Sequence, residues 1–497
     1  MHGAGASIPA GRTLRLMLAS AGMVLLAGCQ VLNPGVSEQG FVPSSNPVTV
    51  DSVTRNDRMV ALARAQHPRI LATYGGEYSD PKLERMVAKV VGSLTVASGN
   101  PDQTYQITLL DSPNVNAFAL PGGFLYVTRG LLALANDSAE LAAVIAHEMG
   151  HVTANHGIQR QQKEAEEQLA SRVVDDVLND NQVARAAIVR GKLRLAQFSR
   201  NQELEADGIG IKTIGSAGYD PYSAARFLQS MASYSDFRSI SGATDASLDF
   251  LASHPNAPQR IDLALRHARQ FGAPGAGRRD RDSYLAGIDG MLFGDTPEEG
   301  YVRGRTFVHP TLGVTFSVPE GFVIDNSAAA VTAAGPGDVA IRFDGVALNR
   351  NKKLDDYLRS GWVAGLDPST VRNVSINGNE AAVAYAQADK WRFHIAVVRA
   401  GGQVYRLLTA APRGSESLET TASTVTASFR LLGETERKEL TPLRIRVVTV
   451  KPGETAGSIA ARMTGVGRAL DMFRLLNALP PGGSVSPGDK VKIITDQ

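Results

Sequence analysis

Cysteine is almost missing from this chain, since Cys29 is the single one. No internal disulfide can form, so the folded parts must hold together by burying apolar cores. A surplus of charge is missing too. A leader over residues 1–28 would remove Arg12 and Arg15 and no acid, leaving 49 basic against 49 acidic residues. That balance implies neither nucleic acid nor an anionic surface as partner. The apolar run Leu16 to Leu26 is too short to span a membrane comfortably. Behind Arg12 and Arg15, and ahead of small residues, it reads as the core of a secretory signal.

What is present is chemically pointed. An Ala-rich apolar stretch from Leu141 ends in His147-Glu148-Met149-Gly150-His151, with Asp137 placed to cap and Glu140 three residues on. On a helix, positions i and i+4 share a face, so the two imidazoles can converge on one metal ion. Glu148 points to the side, where it can take a proton from a water beside the metal. The variant with a third histidine in H-E-x-x-H-x-x-G-x-x-H is excluded, because Ala154 and Gly157 stand where its glycine and histidine belong and His156 comes one position early. Downstream, Glu203, Glu205 and Asp207 lie at i, i+2 and i+4 of a helical segment. Glu203 and Asp207 share a face, so Glu203 can complete the metal site while Asp207 accepts the free ring N–H of His147. Glu205 falls on another face, solvated or in an ion pair. The alternative is an ordinary charged surface helix.

Together with Asn116 to Gly123, Ala217 to Pro221 and Ser253 to Arg260, in that order, these motifs resemble the family-forty-eight zinc metallopeptidases, a gluzincin family. The resemblance covers roughly residues 50 to 270. It implies one zinc ion per chain, held by His147, His151 and Glu203, with Glu148 as base and Asp207 behind the ligands. It also implies that His254 can approach the metal and modulate access, as in BepA-like members; by itself a His before Pro is an ordinary turn residue. Asn116, Ala117 and Phe118 precede a turn at Pro121 to Gly123 and form a strand whose edge can take a peptide substrate by strand addition, or else a plain structural hairpin.

The remaining organisation follows in chain order. Leu26-Ala27-Gly28-Cys29 resembles a bacterial lipobox, which implies lipidation of Cys29, and Gln30 after it implies the outer membrane. Residues 29–50 read as a flexible tether and 51–270 as the peptidase domain. Residues 159–199 read as a polar helical hairpin, either a cover over the cleft or simple packing. Gly, Pro and charge mark 271–300 as a linker. Alternating strand-like runs over 301–435 describe an α+β, sandwich-like domain weakly reminiscent of the PsbP and Mog type, in which His309 and His394 are isolated. Residues 443–497 resemble a LysM module, a βααβ fold that binds N-acetylglucosamine-containing glycans. Gly457 and the long segment Thr464 to Arg468 depart from its pattern.

The expected whole is α+β: a mainly helical zincin-like domain with a small sheet, then the two smaller units. Its expected function is zinc-dependent endopeptidase of the bacterial envelope, lipid-anchored on the periplasmic side of the outer membrane. Its substrates would be unfolded or misassembled envelope proteins, with peptidoglycan a further partner through the LysM-like unit. Two alternatives stay open: a chaperone-like or wall-tethered binding protein with a latent zinc site, and a peptidoglycan hydrolase.

Overall fold

A computed structural model describes residues 57–160, 162–163, 181–240, 250, 254, 258–327 and 330–497. The expected leader, Cys29, the tether and residues 161 and 164–180 of the polar hairpin lie outside the described residues. Two amphipathic helices, α1 (Asp57–Thr73) and α2 (Pro81–Ala97), come first, and α2 starts where Asp80 accepts from the N–H groups of Lys82 and Leu83. Three strands follow: β1 (Gln106–Leu110), β2 (Ala117–Leu120) and β3 (Phe124–Thr128). Their order is β1-β3-β2, with β3 parallel to β1 and antiparallel to β2. The β2–β3 pair is the hairpin expected around Pro121 to Gly123. β3 is buried along its whole length, as its run of apolar residues demands, which leaves β2 at the sheet edge.

Thr128 ends β3 and caps α3 (Arg129–Leu134), and Asp137 then caps α4 (Ser138–Thr153), the helix carrying His147 to His151. Every residue of α4 from Ser138 to Gly150 is buried, so its alanines serve close packing on all sides rather than one amphipathic face. Against it lies α5 (Asn181–Ser216), with α6 (Ser223–Ile240) and α7 (Pro258–Ala268) beyond. Two absent side chains set the α4–α5 spacing. A Cβ on Gly210 would stand 3.1 Å from the His147 nitrogen, and one on Gly150 would stand 3.1 Å from the Ala206 carbonyl oxygen.

The stretch 271–300 corrects the expectation of a linker. It contains α8 (Arg281–Ile288), and Tyr284, Leu285 and Ile288 are buried in the same core as α4. Its arginines have fixed partners: Arg279 donates to Asp137, the cap of α4, at 2.6 Å, and Arg281 donates to the Asn136 carbonyl at 2.8 Å. Gly, Pro and Arg describe a pinned loop as well as a loose one; only the partner distinguishes them.

The chain then turns to strands, and the fold is α+β. A four-stranded sheet in the order β14-β6-β5-β4 (β4, Tyr301–Arg303; β5, Thr306–His309; β6, Val314–Ser317; β14, Arg430–Leu431) lies beside a larger one. The larger has seven antiparallel strands in the order β10-β11-β12-β13-β9-β8-β7. These are β7 (Val323–Asn326), β8 (Val331–Gly335), β9 (Val339–Val346), β10 (Arg372–Ile376), β11 (Asn379–Gln387), β12 (Trp391–Ala400) and β13 (Gln403–Pro412). Helix α9 (Leu354–Leu358) packs with one cluster of buried residues on this sheet and α10 (Ser417–Ser428) with another.

Finally β15 (Arg444–Thr449), α11 (Ala456–Ala460), α12 (Ala469–Leu476) and β16 (Lys490–Thr495) follow in βααβ order, with β15 and β16 antiparallel. This unit does not stand apart. Ile445, Phe473, Leu476 and Ile493 share one apolar cluster with Leu141 and Ile145 of α4. Lys492 is buried, and its Nζ donates to the carbonyls of Ala133, Leu134 and Ala135 at 2.7, 3.2 and 2.8 Å. Three acceptors match the three protons of an ammonium; burial opposes that charge and brings the group down to about 7, while buried Glu140 favours it.

Candidate metal centre

The functional helix α4 offers His147 and His151 from one face, their Nε2 atoms 3.0 Å apart. α5 crosses it closely enough to bring in Glu203, whose Oε2 lies 3.4 Å from His147 Nε2 and whose Oε1 lies 3.5 Å from His151 Nε2. His254 adds a fourth donor, with Nδ1 at 3.2 Å from His147 Nε2 and 3.1 Å from Glu203 Oε2. These four residues are a group able to hold one metal ion, the ligand atoms all lying within 4.8 Å of one another. Ligands 2.0–2.1 Å from a common tetrahedral ion stand about 3.3–3.4 Å apart. The observed separations and the imidazole-plus-carboxylate set therefore fit zinc.

Supporting groups fix each donor. His147 Nδ1 lies 2.9 Å from Asp207 Oδ1, the partner that the i, i+4 spacing of Glu203 and Asp207 suggests. Arg260, buried to 2 %, then grips Asp207 through two hydrogen bonds of 2.7 and 2.8 Å and reaches Glu203 Oε2 at 3.1 Å. The same guanidinium donates to the His254 carbonyl oxygen at 3.4 Å. Reading the motif around Arg260 gave it no role. Asp207 is 53 residues away in sequence and Glu203 farther still, and no local spacing encodes that meeting.

Charge is tightly coupled here. Burial opposes a charged His147, yet the carboxylates of Asp207 and Glu203 outweigh it and lift the ring to about 9. Burial, with the cationic rings beside it, holds His151 well below the ordinary histidine range. Burial would raise Glu203 too, but hydrogen bonds from His147 and His254 keep its carboxyl far below normal, and Arg260 and His147 bring Asp207 to about 2 against the same opposition. Such a set is built to hold positive charge, as a proton or as a dication.

Glu148 is buried beside the cluster. Its Oε1 has no hydrogen-bond partner among the described residues and faces His254 Nε2 at 3.4 Å. Burial pushes its carboxyl up, while His254 and a backbone hydrogen bond from Ala119 of β2 draw it down. The edge strand β2 thus meets the carboxylate directly. Of the residues expected to line that edge, Asn116 and Ala117 are buried, Asn116 donating to the Tyr74 hydroxyl at 3.0 Å. Phe118 stacks on Tyr126 at 4.8 Å. The side chains of these three look into the protein, and the strand's own backbone faces the site at Ala119. His309 and His394 lie far along the chain in the sheets, and among the described residues neither joins a ligand group.

Comparison with known proteins agrees with this geometry. The sequence profile of Peptidase family M48 matches residues 79–268, a span containing every donor just described. The chain is similar to the mitochondrial metalloendopeptidase OMA1 of Schizosaccharomyces pombe, 28 % identical over 232 residues, covering 44 % of this chain and 64 % of that protein. It is similar to OMA1 of Arabidopsis thaliana, 37 % identical over 165 residues, with 32 % and 31 % covered. It is also similar to the beta-barrel assembly-enhancing protease of Yersinia pestis, 28 % identical over 264 residues, with 48 % and 51 % covered. The matches span from 31 % to 64 % of these relatives' lengths. His147, His151, Glu203 and His254 thus lie in a domain of Peptidase family M48, and the chain carries a metallopeptidase domain over residues 79–268.

Proposed function

We propose that this protein is a zinc-dependent endopeptidase of the bacterial cell envelope, acting on unfolded or misassembled periplasmic and outer-membrane proteins. The observation that carries the reading is the convergence of three imidazoles and the Glu203 carboxylate beside Glu148, whose Oε1 has no hydrogen-bond partner among the described residues and lies 3.4 Å from His254 Nε2. His147, His151 and Glu203 hold the ion. Bound there, zinc polarises a peptide carbonyl and acidifies water. Glu148 takes the proton from the attacking water and hands it to the leaving amine. Asp207, clamped by Arg260, keeps the His147 proton on Nδ1 and so leaves Nε2 free to bind. The outer edge of β2, which meets Glu148 at Ala119, pairs with the substrate backbone, which favours extended, unfolded chains over particular sequences.

His254 stands where a catalytic site leaves room for water. In this reading it closes the resting site, and its ring must leave before substrate is cut. The envelope location rests on the lipobox-like Leu26 to Cys29 and on relatives named for β-barrel assembly, with Cys29 as lipid anchor. No helix among the described residues is long and apolar enough to cross a membrane. The βααβ unit, read as LysM-like, would add peptidoglycan as a partner. The position of His254 also favours a second reading, a latent site whose protein works chiefly by holding clients.

The test is metal content and cleavage of an unfolded protein by the purified chain beside Glu148→Gln. One zinc in each, with turnover lost by roughly 10²–10⁴-fold in the variant alone, is the expected result. Undiminished cleavage by the variant would refute the mechanism. Zinc in both with cleavage by neither would favour the latent reading.

A further inference from the structure

The carboxylate between Glu203 and Asp207 has a partner that no helical spacing suggests. α4 ends at Thr153 with Ala154 as its C-cap, and Asn155 adopts a left-handed backbone with φ 56°. The turn brings His156 back beneath the metal helix, where it is buried. Its carbonyl oxygen accepts from Gln202 of α5 at 3.1 Å. The ring then lies between two groups: Nδ1 is 2.9 Å from His151 Nδ1, and Nε2 is 3.3 Å from Glu205 Oε2.

The proton order along this chain is fixed by chemistry. A neutral imidazole has one N–H and one acceptor nitrogen. His151 turns Nε2 into the cluster, so its proton sits on Nδ1 and is donated to His156 Nδ1. His156 must then carry its own proton on Nε2, and that proton points at Glu205. Every ring stays neutral and every hydrogen is used. Each ligand histidine thereby gains a separate orienting partner on α5, Asp207 for His147 and Glu205, through His156, for His151. The first is buried and clamped by Arg260, whereas the Glu205 side chain is 58 % exposed.

We propose that His156 and Glu205 are positioning residues that fix the tautomer and ring orientation of the metal ligand His151. The proposal rests on the reading of the four-donor cluster as a zinc site. It is tested on the full chain by zinc affinity, in competition with a chromophoric chelator, for wild type, His156→Leu, Glu205→Ala and the double variant. Loss of such a ligand-orienting partner lowers metal affinity by roughly 10–100-fold, the fall expected for His156→Leu. Glu205→Ala is expected to weaken zinc in the same direction, and only while His156 is present, because it acts through that ring. His156→Gln, whose amide oxygen can accept from His151, restores part of the loss.

A purely structural role for His156 would leave zinc affinity unchanged in the folded variants and the Glu205 effect independent of it. Either result overturns the proposal. Should His156→Leu fail to fold, Glu205→Ala decides alone, since its exposed side chain is not needed for the core, and unchanged affinity there overturns the proposal. Wild type that binds no zinc would refute the metal reading itself, a distinguishable failure.

Discussion

At the scale of single residues, the site depends on one cation that the motifs did not reveal. Arg260 holds Asp207 by a two-pronged contact and touches Glu203, all three largely out of water. Arg260→Leu leaves two carboxylates without compensation, and breaking a buried pair in this way costs about 3–5 kcal/mol. We expect a fall of that size in urea-unfolding stability of the metal-free chain, and a smaller one with zinc, whose charge replaces part of what Glu203 loses. Arg260→Lys should fall between, because an ammonium cannot form the fork. Much of the site was nevertheless legible in the sequence. His147 and His151, and then Glu203 and Asp207, are pairs at i, i+4, and a helix converts that spacing into a shared face. His254, His156 with Glu205, and Arg260 meet their partners across turns and between helices, so their roles had no periodicity to betray them.

At the scale of elements, the meeting of α4 and α5 is decided by atoms that are absent. Gly150 and Gly210 let the two backbones approach, and Gly210 faces the backbone nitrogen of His147 itself. In sequence, a glycine inside a helix reads only as a loss of helix propensity. Gly210→Val forces the helices apart, moving Glu203 away from the two histidines. Overpacking of this kind destabilises by roughly 1–3 kcal/mol, and zinc affinity should fall with it. Thermal unfolding and chelator competition on the same variant check both. Gly210→Ala, needing a few tenths of an ångström, should show a weaker form of each effect. Secondary structure itself was easier to read. β3 and the hairpin before it followed from apolar runs around Pro121 to Gly123, and the α4 cap followed from Asp137.

Across the whole molecule, the helical and strand-rich parts meet over partly buried acids. Asp295 accepts from the Val302 N–H of β4 at 2.8 Å, and burial lifts its carboxyl to about 6. Burial, with Asp295 and Asp111 nearby, lifts Glu299 to about 7. Both lie above their ordinary values of 3.8 and 4.5, so the folded state holds more protons than the unfolded one between roughly pH 4 and 7. Stability contributed by the protonated pair is present at the acid end and is lost as pH rises through that window, by up to about 6 kcal/mol for the two together at roughly 1.4 kcal/mol per pKa unit. Urea midpoints at pH 5 and pH 7.5, compared with those of Asp295→Asn/Glu299→Gln, should show the wild-type decline and a flatter profile in the double variant.

Lys492 has a consequence in time. Its contact with Ala133 joins positions 359 residues apart, and those carbonyls immediately precede the helix that carries the metal ligands. At about 5–20 residues per second, a ribosome needs roughly 20–70 s to travel from one partner to the other. Through that interval three carbonyls at the foot of the metal helix lack their ammonium, and the shared core lacks Ile445, Phe473 and Ile493. A newly made peptidase domain is therefore unfinished while most of the chain behind it is still being synthesised. The core around the metal helix is thus completed only when the last strand, β16, is in place.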